Sequence, residues 1–370
     1  MVNKKRIGEL DLLRFVFIME IVLHHFGTGT FPFGIGVEFF FTLSGLLMAR
    51  HAEKWHKSVD GTRDRSLVAN ETWIFMKGKI RSFYKYYFVA FVFHVVVRTI
   101  IANHVAAKTV IMRLLKSITT LTLSFFGISA LSTAYYVNST WFLSAMLIVM
   151  LVLYPILLHN YYFGVKIVFP ILTLFLLGYE YTTNQNIGEN VAWAGFTYFG
   201  ILRAASEIAF GGTLYYISTE ITGNEALMKR AQRPLNRVLL TIAKIICFGV
   251  PLLYAHKTGF GLKFSNGFDL HALLFCGIGI MLSFSGLGWS IPDCKLTRYL
   301  GKITLPIFIY HKLLRAAWLE GMGVEKVPVN YAWFMLAVCV VASVALMYFT
   351  DFLAWGIQKL RTRREKAVAE

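Results

Sequence analysis

Charge is scarce in this chain. Asp, Glu, Lys and Arg make up 15% of its 370 residues, against about 25% in a typical soluble domain, so an ordinary cytosolic enzyme is not expected. Acidic residues are the scarcer kind: 20 Asp and Glu stand against 37 Lys and Arg, a net charge of +17. Cysteine is limited to four, with no C-x-x-C and no zinc-ligand spacing, which excludes a disulfide framework and a zinc module. Cys247, Cys276 and Cys339 lie in apolar runs and read as packing residues, while Cys294 lies in a short basic loop. There is no internal repeat, low-complexity tract or proline-rich linker, so one domain covers 1–370. No small-residue cleavage site follows the first apolar run, which therefore reads as a retained helix and not a signal peptide. Scattered histidines give no metal cluster, and no glycine-rich phosphate loop stands between a strand and a helix; no metal is expected.

What is abundant is apolar surface. Hydrophobic residues reach 56%, with 32 Phe, 18 Tyr and 8 Trp, and the mean hydropathy is +0.58. Such a composition suits lipid as solvent and excludes intrinsic disorder. Ten segments approach the roughly 20 apolar residues that span a bilayer: Leu10–Phe26, Phe33–Met48, Phe83–Ile101, Trp141–His159, Tyr162–Tyr181, Ala194–Ile217, Val238–Tyr254, Phe268–Trp289, Ile303–Leu319 and Tyr331–Trp355. The stretch 110–131 mixes Arg113 and Lys116 with Thr and Ser and reads as an interfacial or re-entrant helix. The connection 50–82 is expected to pack as an amphipathic helix.

The expected fold is an all-α, polytopic integral membrane helix bundle with about ten transmembrane helices and cytoplasmic N- and C-termini. The distribution of charge supports this order. With the N-terminus inside, 23 of the 37 basic residues fall on inner connections and six on outer ones, as the positive-inside rule requires. Counting 110–131 as a span would reverse every later loop and destroy that asymmetry. Most of the +17 is thus topological, and nucleic acid is not an expected partner.

Ionisable residues inside a bilayer are costly and mark function. The first helix, LDLLRFVFIMEIVLHHF, places Arg14 and His25 eleven residues apart, about 20° off three full turns and about 16 Å along the axis. The two share a face, Arg14 toward the inner end and His25 toward the outer. After the turn GTGTFPFG the chain returns and brings Glu38 to the depth of His25. A neutral imidazole beside a carboxylate is a plausible general base. Mutual hydrogen bonding of Glu20, His24 and His25 is the bland alternative. Ser44 and Gly45 are expected to serve close helix packing. Arg203 and Glu207 form an i,i+4 pair, read first as mutual neutralisation, and Asp11 lies one turn before Arg14, where it fixes that side chain.

These residues carry a resemblance. DLLR, ten further residues and a His, followed by GVEFFFTLSGLLMAR, is similar to the start of membrane acyltransferase family 3, whose pattern is Arg-x10-His and then G-V-[DE]-x-F-F-x-x-S-G-[FL]-L. Arg14, His25, Gly36, Val37, Glu38, Phe39, Phe40, Phe41, Ser44, Gly45 and Leu47 match it. FMKGKIRSFYKYYF resembles the family's basic entry to helix three, usually R-x-x-R. Here Lys79 fits the first basic position, Ser82 falls on the second, Arg81 comes one residue early and Lys85 stands where Pro is common. NSTWFLSAMLIVMLVLYPIL resembles a family helix without the Glu that some longer relatives place after its Trp. YLGKITLPIFIYHKLL resembles the late helix that ends in a His, here His311.

The resemblance implies an O-acyltransferase in the inner, cytoplasmic membrane of a bacterial cell. It would take an acyl group, acetyl first, from cytoplasmic acyl-CoA as donor substrate and pass it to a hydroxyl of a surface glycan or lipid-linked sugar. His25 would be the general base, with Glu38 orienting it. Arg14, Lys79, Arg81 and Lys85 would hold the coenzyme phosphates, and His311 would contact the coenzyme. Two other classes stay open: a secondary transporter of an anionic solute that uses buried Arg, His and Glu, and a non-catalytic partner in polysaccharide assembly. Binding of acyl-CoA separates the enzyme from both.

Overall fold

A computed structural model describes residues 6–26, 34–59, 64–101, 112, 115, 140–188, 193–255, 267–322 and 331–369. Among these residues the structure is helical, with a single isolated bridge, Trp193–Tyr198, and no strand. The helices are α1 (Gly8–His25), α2 (Gly36–Ser58), α3 (Arg65–Ile101), α4 (Thr140–His159), α5 (Tyr161–Asn184), α6 (Phe199–Gly223), α7 (Glu225–Ala231), α8 (Pro234–Ala255), α9 (Phe268–Phe284), α10 (Lys295–Met322) and α11 (Ala332–Ala369). Each of the ten expected segments overlaps one of these helices, although Ala194–Ile217 enters α6 only at Phe199 and Phe268–Trp289 leaves α9 at Phe284, and the short α7 is extra. The expectation for 110–131 lies outside the described residues apart from Met112 and Leu115.

Among the described residues four helices are long and apolar enough to cross a membrane: α4 over Trp141–His159, α5, α8, and α11 over Ala332–Leu360. The apolar α9 is shorter, at 17 residues. Helices α1, α2, α6 and α10 carry many of the ionisable residues of the interior, which dilutes their hydropathy. Large apolar side chains face outward on the crossing helices. Leu174 and Phe175 of α5 are each 73% exposed, and Val341 of α11 is 70% exposed. Such a belt is unfavourable in water and suited to lipid.

The connection 50–82 departs from expectation. It is not a separate amphipathic helix. The end of α2 runs on to Ser58 and α3 begins already at Arg65, so both helices extend past their apolar stretches. Asp64 caps the start of α3, accepting from the Leu67 amide at 2.7 Å.

At the centre, α2 packs against α1, α4 and α6. The α2–α6 crossing is close because glycines face backbone in both directions. A Cβ on Gly45 would stand 1.9 Å from the Ile208 carbonyl oxygen, and one on Gly211 would stand 1.9 Å from the Thr42 carbonyl oxygen. This matches the packing role expected of Gly45. Phe17 of α1 stacks on Phe39 of α2 at 4.3 Å between ring centres. Inside α5 the turn Gly164–Val168 widens to a π-helix just before Pro170. The proline lacks an amide hydrogen, and its ring presses on the carbonyl four residues back, which accounts for the widening. The three cysteines of the apolar runs are buried and Cys294 is exposed, all as free thiols.

Candidate active site

The N-terminal half of α1 and the C-terminal half of α2 enclose a cleft of about 250 Å³. From the α1 side come Ile7, Leu10, Asp11 and Arg14, at the three- and four-residue spacing of one helix face. Leu43, Leu47, Arg50, His51 and Lys54 of α2 form the opposite wall, and Arg6 and Phe284 complete it. Arg6, Arg14, Arg50 and Lys54 are thus set against one carboxylate, Asp11. Arg14 Nη1 donates to Asp11 Oδ1 at 2.9 Å, as expected from their one-turn separation. The Arg50 guanidinium lies 5.4 Å from the centre of the Phe284 ring. His51 Nδ1 is 2.6 Å from Tyr154 Oη, whose hydroxyl donates to Glu71 at 3.4 Å. A small apolar-floored cleft with this excess of guanidinium and ammonium groups suits a polyanion such as a chain of phosphates.

The other end of α1 holds imidazoles. The His25 ring stacks on His311 of α10, with centres 5.2 Å apart and planes 20° apart. His24 lies 5.1 Å from His25. His311 is fully buried. Its Nδ1 lies 2.7 Å from the Phe308 carbonyl oxygen, a contact that requires the hydrogen on Nδ1 and leaves Nε2 as a bare acceptor, buried and without a partner. Because α1 is one unbroken helix from Gly8 to His25, the basic cleft and the imidazole pair are joined by a rigid rod, with about 16 Å between Arg14 and His25.

The sequence reading paired Glu38 with His25. In the structure Glu38 is ion-paired instead with Arg203 of α6. Arg203 Nε also binds Glu207 at 3.2 Å, and its Nη1 donates to the Gly188 carbonyl at 3.0 Å. The guanidinium lies 5.9 Å from the centre of the Trp141 ring. Glu38, Arg203 and Glu207 are all buried, as is Glu180, whose carboxylate accepts from Ser206 Oγ at 3.4 Å. The i,i+4 pairing of Arg203 and Glu207 is therefore present, but inside a larger cluster. Glu20 does not bridge to the histidines. Its Oε2 accepts the Gly36 amide at 2.8 Å and so caps the start of α2, where an anion is favoured.

Arg14 lines the cleft, but the α3 cations stand elsewhere. Lys85 Nζ is 2.5 Å from Asp351 of α11, which Lys302 also approaches at 3.7 Å. Lys79 Nζ lies over the Phe75 ring, and Arg81 is exposed. None of the three is in the cleft wall. Arg50, His51 and Lys54 are in it, and the sequence reading missed them. Their signal was available in the spacing 43, 47, 50, 51 and 54, which continues one helix face of the G-V-E motif toward its basic end.

Compared with known protein families, residues 7–350 match the family described as Acyltransferase domain. No curated protein and no solved structure matches the chain.

Proposed function

From the premise that this chain belongs to the acyltransferase 3 family and is an integral membrane acyltransferase, we propose that it moves an acyl group, acetyl first, from cytoplasmic acyl-CoA to a hydroxyl of a cell-surface or envelope glycan. The observation that carries this reading is the pairing of two features along α1: a cleft rich in cations at one end and stacked imidazoles at the other. An extended pantetheine arm covers a distance of this order, so phosphates held in the cleft would leave the thioester beside His25. The topology that goes with it is ten crossings in one domain, with both termini in the cytoplasm of a bacterial cell and the basic cleft opening there.

In this mechanism Arg14, with Arg6, Arg50 and Lys54, binds the coenzyme phosphates. Lys79, Arg81 and Lys85 supply the positive field of the same membrane face and guide the polyanion inward. His25 takes the proton of the acceptor hydroxyl as it attacks the thioester carbonyl and returns it to the departing sulfur. The bare Nε2 of His311 accepts a hydrogen bond from an amide of the pantetheine arm. Glu38, held by Arg203, is a positioning residue that fixes the start of α2 against α6.

Purified protein in lipid nanodiscs tests this reading directly. His25→Ala is expected to retain acetyl-CoA binding and lose at least 100-fold in thioester turnover, since general-base catalysis contributes about 10²–10⁴-fold. Arg14→Ala is expected to weaken binding and to flatten its dependence on salt. Near-normal turnover in the His25 variant sinks the mechanism.

A further inference from the structure

Several cations of this bundle are matched with carboxylates. Arg14 reaches Asp11, Lys85 reaches Asp351, Arg203 reaches Glu38 and Glu207, and Lys244 reaches Glu9. Lys312 breaks the pattern. It is part-buried on α10, next to the buried Leu313, and among the described residues no carboxylate pairs with it. The charge that bears on it is another cation, Arg315. An ammonium in an apolar helix without a counter-ion is expensive, and its retention points to an anion that arrives or forms during the working cycle. Its place narrows the choice. Lys312 follows His311, whose ring stacks on His25, and it is the foremost charge acting on the His25 ring.

We propose that Lys312 Nζ is a catalytic residue of the acyl transfer, stabilising the oxyanion that develops on the acyl carbonyl beside His25. The inference rests on the acyl-CoA reading above. When the acceptor hydroxyl attacks, its oxygen–carbon bond forms, its proton passes to His25, and the carbonyl electron pair moves onto oxygen, whose negative charge the ammonium offsets. As the carbonyl re-forms, the carbon–sulfur bond breaks, the electron pair leaves on sulfur, and His25 returns the proton to give the free thiol. A fixed cation in a site of low dielectric needs no reorganisation to meet that charge.

The test uses the full chain in nanodiscs with acetyl-CoA as donor and water as acceptor, following thiol release and coenzyme binding separately. Water carries no charge, so an effect on its turnover reports on the oxyanion and not on an anionic group of a glycan acceptor. Lys312→Met is expected to lower kcat by about 100-fold, as loss of one oxyanion donor does, with KM and acetyl-CoA binding within about twofold of the wild type. Lys312→Arg is expected to restore most of that loss because it keeps the charge. A Lys312→Met variant within about threefold of wild-type kcat, or one whose loss lies in KM, overturns the proposal while leaving the acyl-CoA reading intact. A wild-type chain that neither binds acetyl-CoA nor releases its thiol overturns that reading and the proposal with it.

Discussion

At the scale of single residues, the buried cluster around Arg203 sets the balance of the interior. Glu38 is 165 positions away in sequence, yet it shares one guanidinium with Glu207, and both carboxylates have an oxygen without a partner. Removing the cation leaves two buried carboxylates facing each other. Arg203→Ala is therefore expected to cost about 3–5 kcal/mol, the penalty for breaking a buried pair from one side, measured as thermal unfolding in detergent. A second substitution, Glu38→Gln, made in that background should recover part of the loss, because the two sites couple through one contact. Additive losses would show that the cluster is not the source. Glu38 itself was legible in the sequence, and so was its nearness to the first helix. Its partner was not, since the hairpin that brings Glu38 back past His25 says nothing about which face α6 presents to it.

At the scale of elements, the closest crossing in the core depends on a missing side chain. Gly45 and Gly211 let the α2 and α6 backbones touch. In lipid, tight packing replaces much of the hydrophobic drive that holds helices together in water. Gly45→Ala places a methyl group 1.9 Å from the Ile208 oxygen, so the helices must separate. A loss of about 1–3 kcal/mol is expected, as for other overpacked sites. Because α2 carries Glu38 at one end and Arg50, His51 and Lys54 at the other, the same change should also weaken acetyl-CoA binding in the nanodisc assay. Unchanged stability and unchanged binding together would show that the crossing is more compliant than the backbone contact indicates. Helix identity was readable here from apolar runs. Helix length was not, since α2 and α3 continue as charged helix beyond their apolar stretches, where hydropathy carries no signal.

At the scale of the whole molecule, the chain contains a reporter of its own orientation. Three of its cysteines are buried, and Cys294 lies exposed just before α10, in the loop whose Pro292 oxygen touches Gly8 at the start of α1. The Thr297 amide and hydroxyl hold the Cys294 thiol below its ordinary pKa, which favours the reactive thiolate. A membrane-impermeant maleimide is expected to label the unmodified protein once in inverted vesicles and not in intact cells. The reverse pattern would turn the proposed topology over, and with it the side from which the coenzyme enters. The sequence by itself determined that the chain is helical, that its apolar runs suit lipid, and that Arg14 and His25 share one helix. These are local properties, set by composition and by a fixed helical repeat. The tertiary structure alone decided that Arg50 and Lys54 share the cleft of Arg14, that His311 and not Glu38 lies against His25, that Arg203 gathers the buried carboxylates, and that Lys85 is held by Asp351. Each of those contacts joins helices distant in sequence or fixes their relative rotation, and helix packing sets which faces meet through steric fit, which no single-helix periodicity encodes.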